Sequence, residues 1–204
     1  MGKKFDILNP ELQSWLKQQR VFFVATAPLS SEGHVNCSPK GGDTFRVLDG
    51  HRVAYLDLTG SGIETVAHVQ ENGRIVLMFC AFAGPPKIVR LHGTGNTVYP
   101  TDAAFDKLLA HFHDHVAARA IIEVTVTRIS DSCGFGVPLM SYVGERDLLD
   151  RWAEAKGSDG LREYRNDKNR QSIDGNKGYN MPNHSPDPRT ASVTPAAGQL
   201  PRQP

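Results

Sequence analysis

The chain has 204 residues, of which 39% are hydrophobic, which is enough for one domain with its own core. Its 23 basic and 22 acidic residues nearly balance, so no overall field draws the protein to nucleic acid or to an anionic membrane. No segment approaches the roughly 18 consecutive apolar residues of a membrane span, and residues 1–15 lack the apolar core of a signal peptide. We therefore expect a cytoplasmic protein.

The first predicted element is a short helix. Asn9 is a capping residue, Pro10 stands at the first helical position, and Leu12, Trp15 and Leu16 then recur at helical spacing.

Six strands are predicted after this helix, because six segments rich in β-branched and aromatic residues are separated by turn sequences such as SSEG, KGGD and LDGH. The segments are VFFVATA (21–27), HVNCSPK (34–40), RVAYLDL (52–58), RIVLMFC (74–80), KIVRLHGTGNTV (87–98) and AIIEVTVTRI (120–129). Six strands joined mostly by short turns predict an antiparallel barrel, so the fold class is mainly β with flanking helices.

Three further helices are predicted between and after the strands. The first, SGIETVAHVQEN, ends at Asn72-Gly73, which is a good C-terminal stop. The second begins near Thr101 and carries four apolar side chains on one face. The third runs from about Gly144 to Ala155, with Gly157 beyond its end.

The composition changes abruptly after Gly157, and this change sets the predicted domain boundaries. Residues 1–157 form the folded domain, and residues 158–175 are a polar extension whose order the sequence leaves open. Residues 176–204 are rich in proline and small polar side chains, so burial cannot repay the entropy of ordering them, and a disordered tail is predicted.

The segment DLTGSGIE (57–64) has two interpretations. A strand end, two glycines and a helix start would leave backbone N–H groups free to bind a phosphate. Alternatively, Ser61 and Glu64 would form a capping box that satisfies those donors internally.

The segment HVNCSPK also has two interpretations. The period of two places His34, Asn36, Ser38 and Lys40 on one face of a strand, which is either solvated or the wall of a ligand site where Lys40 meets a phosphate. A proline at position 39 indicates an edge strand or the rim of a site. The same parity places Arg90 and His92 together on a face of their strand, as a second basic pair for the same anion.

No metal site and no catalytic nucleophile are predicted. His111 and His115 share a helical face at i and i+4, but the zincin pattern fails because no glutamate follows the first histidine. Exposed histidines at a helix end are therefore expected here. The three cysteines lie too far apart for a disulfide framework or a Cys-x-x-Cys site.

The order of these segments resembles the pyridoxamine 5'-phosphate oxidase-like family of FMN-binding split barrels over residues 15–130. HVNCSPK is similar to the Arg-x-x-x-x-Lys strand of that family, with a histidine in place of the arginine, and VRLHG is similar to its VRVEG-like strand. The chain departs from the family at residues 60–62, where Gly-Ser-Gly stands instead of Ser-Arg-Lys, and at Asn72-Gly73, where Asn-Pro is usual.

The resemblance implies a six-stranded split β-barrel, FMN as cofactor, a homodimer with the flavin at the subunit boundary, and oxidoreductase activity on an unidentified small-molecule substrate. No side chain need act as an acid or a base, because the flavin carries the redox chemistry. Haem or a deazaflavin on the same barrel, or a non-catalytic dimeric binding module, remain alternatives. The predicted cofactor-binding residues are Asn36, Ser38, Pro39, Lys40, Thr59, Gly60, Ser61, Gly62, Thr65 and Arg90.

Overall fold

The computed structural model describes residues 2–179 and confirms the mainly β fold class. The strands are β1 Lys4–Phe5, β2 Phe22–Thr26, β3 Asn36–Lys40, β4 Phe45–Val47, β5 Arg52–Leu58, β6 Arg74–Cys80, β7 Ile88–Val98 and β8 Ala118–Ser132. The helices are α1 Pro10–Lys17, α2 Glu64–Asn72, α3 Phe105–Leu109 and α4 Leu148–Lys168.

The strands form one antiparallel sheet in the order β3-β2-β6-β7-β8-β5-β4, and β1 also pairs with β8. The residues described thus hold eight strands rather than the predicted six. The two additional ones, β1 and β4, are two and three residues long, which is too short for an alternating pattern to be recognised.

The connection between β3 and β4 explains the shape of the sheet. These strands are neighbours in the chain, but they lie at opposite edges of the sheet. Only residues 41–44 join them, so the sheet curls until its two edges approach each other. The sequence KGGD is therefore the closure of an open barrel rather than the turn of a hairpin, and Gly42 and Asp43 adopt positive φ angles of 66° and 54° there.

The core fills the inside of this curled sheet. Phe22 stacks on Phe79 with 5.4 Å between ring centroids, and it meets the edge of the Tyr55 ring at 5.6 Å. The ring centroids of Phe45, on β4, and Phe79 are 4.9 Å apart, so the short edge strand β4 packs on the aromatic residues at the centre of the barrel.

Helix α1 forms as predicted. The Asn9 side chain accepts a hydrogen bond of 2.9 Å from the backbone N–H of Leu12, and Leu12 and Leu16 are buried. The cap therefore fixes the start of the helix, and its apolar side docks on the sheet.

Helices α2 and α3 correct two expectations. Helix α2 ends as predicted, with Gly73 at φ 70°, but its N-cap is Ile63 and no side chain caps it, so the capping box of Ser61 and Glu64 does not form. Helix α3 covers only five residues, and its short length leaves the histidines of residues 111–115 outside any helix.

Helix α4 continues beyond the predicted boundary at Gly157. This glycine has φ 63° and ψ 178°, which interrupts the helical backbone, but the helix resumes and reaches Lys168. Leu161, in the polar extension, is buried beside Ala117 and Ala153. Packing against the barrel therefore stabilises a segment whose own composition is poor in apolar residues.

The chain remains packed up to the last described residue. Tyr179 is buried, with its ring centroid 5.4 Å from that of Tyr99. Residues 176–179, which the composition assigns to the tail, are thus attached to the domain, and residues 180–204 of the predicted tail lie outside the described residues. None of the helices within residues 2–179 combines the length and apolar character that a membrane span requires.

Candidate functional site

A cavity of about 150 Å³ lies where β3, the end of β5, the start of α2 and β8 meet. We call it the Lys40 cavity. Its lining residues are Asn36, Ser38, Lys40, Asp57, Leu58, Gly60, Gly62, Ile63, Glu64, Thr65 and Arg119. Six of these were predicted from the sequence as cofactor-binding residues.

The β3 wall of the cavity has the predicted arrangement for three of its four polar side chains. Ser38 Oγ donates to Asn36 Oδ1 at 2.9 Å, and Asn36 Nδ2 donates to Thr65 Oγ1 at 2.9 Å. Lys40 follows on the same face. His34 precedes the strand, and its side chain is 72% exposed and pairs with Asp174 at 2.7 Å, so it does not line the cavity.

Pro39 and Arg90 are not brought to the cavity. Lys40 lies opposite Phe22, whose side chain points into the barrel, whereas Pro39 lies opposite Phe23. The register continues from Phe23 through Met78 to Arg90, and directly opposed residues share a face. Arg90 therefore lies on the outer face with Pro39, and its Nη1 donates to Ser132 Oγ at 3.1 Å. Its pairing with Lys40 around one anion is not formed within the chain.

Two buried charges that the sequence reasoning missed occupy the centre of the site. Asp57 has no exposed surface; Arg119 Nε donates to its Oδ2 at 2.7 Å, and Lys40 Nζ to its Oδ1 at 3.4 Å. The signal was present, because each stands alone in an apolar run, YLDL and ARAII, and a charge on a buried strand needs a partner.

The pKa of Asp57 reports the strength of this arrangement. Burial by itself raises the pKa, but the charges of Arg119 and Lys40 and their hydrogen bonds outweigh burial, so the pKa lies below its ordinary value of 3.8. The carboxyl group is therefore ionised at neutral pH and holds both cations at the wall of the cavity.

The loop of residues 59–63 uses its carbonyl groups for internal contacts. Arg119 donates to the carbonyls of Gly60 at 3.3 Å and Gly62 at 2.8 Å. Asn169 Nδ2 donates to those of Gly60 at 2.8 Å and Ser61 at 3.3 Å. The carbonyl side of the loop is therefore occupied by hydrogen bonds from Arg119 and Asn169.

Three amide groups of the same loop have no partner among the described residues, whereas that of Thr59 donates to the Ala117 carbonyl at 2.8 Å. In a planar trans peptide the N–H points opposite to the carbonyl of the preceding residue, so the amides of Ser61, Gly62 and Ile63 point away from Arg119 and Asn169. Within the described residues these three amides have no acceptor. The start of α2 adds further unpaired N–H groups, since no side chain caps it.

Thr59 does not have its predicted role. Its Oγ1 donates to the Ala117 carbonyl at 2.8 Å and accepts from Arg165 Nε at 2.9 Å, and only 1% of the residue is exposed. The hydroxyl is used in these contacts with Ala117, just before β8, and with Arg165 of α4, so it is not available to a ligand.

Glu64, at the start of α2, adds a negative charge beside the loop of residues 59–63. A methyl group added at Gly62 would come within 2.6 Å of Glu64 Oε2, so the carboxylate lies over the loop. Its Oε1 accepts from the backbone N–H of Ile173 at 3.3 Å. The charges lining the cavity are therefore balanced, with Lys40 and Arg119 against Asp57 and Glu64.

The histidines give no support to a metal site. His111 is exposed as expected, but His115 Nε2 pairs with Asp150 at 3.0 Å and its side chain is only 19% exposed, which corrects the expectation of exposure for His115. His68 is fully buried and its Nδ1 lies 3.0 Å from Thr26 Oγ1. Within residues 2–179, no three histidine, cysteine or acidic side chains are arranged to hold a metal ion.

A curled antiparallel sheet whose two edges are joined by a short turn defines a split barrel. Residues 8–133 match the family model described as pyridoxamine 5'-phosphate oxidase. A pyridoxamine 5'-phosphate oxidase family protein of Aspergillus flavus, ustO, is 37% identical over 188 residues, which cover 84% of this chain and 75% of the relative. The chain belongs to the pyridoxamine 5'-phosphate oxidase family.

Solved structures with a similar fold come from several bacteria. HupZ of Group A Streptococcus is 22% identical, and the match covers 59% of this chain and 90% of HupZ at a TM-score of 0.47. The FAD binding protein of Mycobacterium smegmatis is 18% identical, with 63% of this chain and 97% of that chain covered at a TM-score of 0.45. The family assignment rests on the two sequence matches.

Proposed function

We propose that this protein binds FMN and is an oxidoreductase that acts on a small-molecule substrate. The observation that carries the proposal is the loop of residues 59–63, where the carbonyls of Gly60, Ser61 and Gly62 accept hydrogen bonds while the amides of Ser61, Gly62 and Ile63 have no acceptor among the described residues. Unpaired amides at a helix start are a binding site for a terminal phosphate. Family membership supplies the link to flavin.

The residues present fit a phosphate group. Among the described residues, Lys40 Nζ donates one hydrogen bond, of 3.4 Å to Asp57, so its ammonium group has N–H donors to spare for an anion. The loop amides add neutral donors, which compensate for the arginine and lysine that the family places in this loop. Gly60 leaves open space where a side chain would stand, so a ligand can approach the backbone closely.

The proposed chemistry divides between the ligand and the chain. When bound, the flavin supplies hydride or electron transfer, and the protein supplies binding, orientation and exclusion of water. Lys40 and the loop amides bind the phosphate, while Ser38 and Asn36 orient the remainder of the ligand along β3. The Asp57–Arg119 pair holds Lys40 and the loop in place.

The identity of the ligand can be read directly from the purified protein. Denaturing the protein and weighing the released small molecule by mass spectrometry is expected to give FMN, with a matching flavin absorption spectrum before denaturation. FAD, haem, a deazaflavin, or a colourless protein that does not bind added FMN would each overturn the proposal. A flavin-loaded protein that no reductant or oxidant can turn over would instead indicate the non-catalytic binding module.

We also propose a homodimer that encloses the flavin between two copies. The cavity of about 150 Å³ is smaller than the roughly 300–1,000 Å³ of sites that enclose ligands of this size. A segment after β8 exposes large apolar side chains that a second copy would cover, and these are Phe135, Leu139, Met140, Tyr142 and Val143. Two-fold pairing is the commonest way to cover such a surface.

Light scattering across a dilution series tests the dimer. We expect the mass of two chains, and we expect flavin to be released as dilution produces monomers, because association and cofactor binding are then linked. A monomer that still retains FMN at micromolar concentration would contradict this arrangement.

We further propose that the protein is cytoplasmic. Cys37 and Cys133 are exposed free thiols and Cys80 is buried, so the three described cysteines form no disulfide. Unpaired exposed thiols are typical of a reducing compartment.

Glu64 is expected to weaken phosphate binding, and removing its charge tests this. We expect Glu64→Gln to tighten FMN binding by about two- to fivefold, the effect of one partly solvated charge, since glutamine can still accept from the Ile173 amide. A titration of flavin fluorescence measures the dissociation constant. Glu11→Gln, on α1 and outside the cavity, is the matched control and should leave affinity unchanged; weaker binding of Glu64→Gln would argue against a phosphate at this loop.

A further inference from the structure

The segment of residues 165–179, which we call the C-terminal strap, lies outside the family match of residues 8–133. It is polar in composition, yet three of its polar residues, Arg165, Asn169 and Ser172, are only 6%, 0% and 7% exposed, and the aromatic Tyr179 is 9% exposed. Buried polar groups need specific partners. Ser172 accepts from the Asn176 amide within the strap, whereas Arg165 and Asn169 contact residues in and beside the loop that holds the proposed phosphate site.

Asn169 makes the central contacts of the strap. Its Nδ2 donates to the carbonyls of Gly60 and Ser61, and its Oδ1 accepts from Arg119 Nη1 at 2.8 Å. One side chain therefore joins the loop to the buried Asp57–Arg119 pair. No other described side chain donates to the Ser61 carbonyl.

The rest of the strap fixes Asn169 in position. Arg165 Nε donates to Thr59 Oγ1 at 2.9 Å, and this bond attaches the strap to the residue that precedes Gly60. The backbone N–H of Tyr179 donates to the Asn169 carbonyl at 2.6 Å, and the Tyr179 ring packs on Tyr99. The asparagine is thus held from both sides along the chain.

We propose that Asn169 is a positioning residue for the phosphate site: by holding the carbonyls of Gly60 and Ser61 on the inner side, it directs the amides of Ser61 and Gly62 outward to the ligand. This inference rests on the proposed function and extends it, because it assigns the geometry of the site to an element outside the family domain. The peptide planes transmit the effect, since a carbonyl fixed on one side fixes the following N–H on the other.

The first experiment uses the protein without added ligand. Amide hydrogen exchange at residues 60–63 should become faster in Asn169→Ala, while exchange in β6 and β7 stays as in the wild type. Asn169→Asp separates the two contacts, because aspartate can still accept from Arg119 but, when ionised, cannot donate to the loop carbonyls. We expect N169D to resemble N169A, and Gln171→Ala, an exposed position in the same strap, to resemble the wild type.

The second experiment compares FMN with riboflavin, which lacks the phosphate. In N169A and N169D we expect the preference for FMN over riboflavin to fall about tenfold, the scale of one or two hydrogen bonds lost from an ordered site, with riboflavin affinity unchanged. A general loss of structure would lower both affinities together, so the ratio separates positioning from unfolding.

The failure of each proposal has its own signature. If the wild type binds neither FMN nor riboflavin, the proposed function fails, while the exchange experiment still tests how the loop is held. If the wild type prefers FMN and both variants keep that preference and the wild-type exchange at residues 60–63, the role of Asn169 is refuted. An N169D protein that behaves as the wild type while N169A does not would assign the effect to Arg119, and would refute the contact with the carbonyls.

Discussion

Asp57→Asn should lower the free energy of unfolding by about 3–5 kcal/mol, the usual result of removing one charge from a buried pair. Asparagine has nearly the same volume, so packing is preserved. The loss arises because Arg119, itself 4% exposed, is left buried without a counter-charge. Lys40 loses its only ionic partner among the described residues at the same time. Urea unfolding followed by circular dichroism measures the change.

An exposed ion pair provides the control for this substitution. Asp147 and Arg151 form a pair at 3.0 Å, with side chains 72% and 65% exposed. We expect Asp147→Asn to change stability by about 0.5 kcal/mol or less. If the two substitutions cost the same, Asp57 does not have the structural role that its burial implies.

The contribution of Asp57 should also depend on pH, with a definite sign. The pKa of Asp57 is lower in the folded protein than its ordinary value of 3.8. The stability from the ionised carboxylate is therefore fully present above about pH 4 and is lost as the pH falls through the lower, folded-state pKa. The difference in unfolding free energy between wild type and Asp57→Asn should be constant from pH 7 to about 5 and should shrink below pH 4. A difference that grows on acidification would contradict the assignment.

Lys40→Ala should weaken FMN binding by about 1–3 kcal/mol, the scale of a hydrogen bond between charged groups. The expected change in the dissociation constant is about 5- to 150-fold. A smaller loss of stability in the ligand-free protein should accompany it, because Asp57 loses its contact with Lys40 at 3.4 Å but keeps the one with Arg119 at 2.7 Å. Flavin fluorescence titration and urea unfolding measure the two effects separately.

Lys17→Ala is the matched control for Lys40. Lys17 is an exposed lysine in α1 that does not line the Lys40 cavity, so its removal should leave FMN affinity unchanged at moderate ionic strength. Equal affinities for wild type and Lys40→Ala would mean that the lysine serves only the buried carboxylate.

Several parts of the fold could be predicted because their causes are local. Asn9 and Pro10 specify the start of α1, Gly73 ends α2, and alternating β-branched residues mark β5 to β8. Proline 39 predicted that β3 lies at an edge of the sheet, which the strand order shows. The period of two correctly placed Asn36, Ser38 and Lys40 on one wall, since successive side chains of a strand point to opposite faces in any fold.

Other parts depended on contacts between distant segments. Asp57 and Arg119 are 62 residues apart, and Asn169 lies 109 residues from Gly60, so neither contact leaves a local pattern. The alternation along β7 correctly places Arg90 and His92 on one face of that strand. Whether this is the inner or the outer face of the barrel is decided by the pairing register across β2, β6 and β7.

The sequence by itself therefore determined six of the eight strands within the described residues, which side chains share a face of those strands, and the family to which their order is similar. Only the tertiary structure decided that the sheet curls to bring its edges together, that a buried carboxylate stands beside Lys40, and that a polar strap beyond Gly157 holds the loop of residues 59–63. The physical reason is the range of the interactions: caps, turns and alternation act within a few residues, whereas burial and the pairing of buried charges are settled when distant segments pack together.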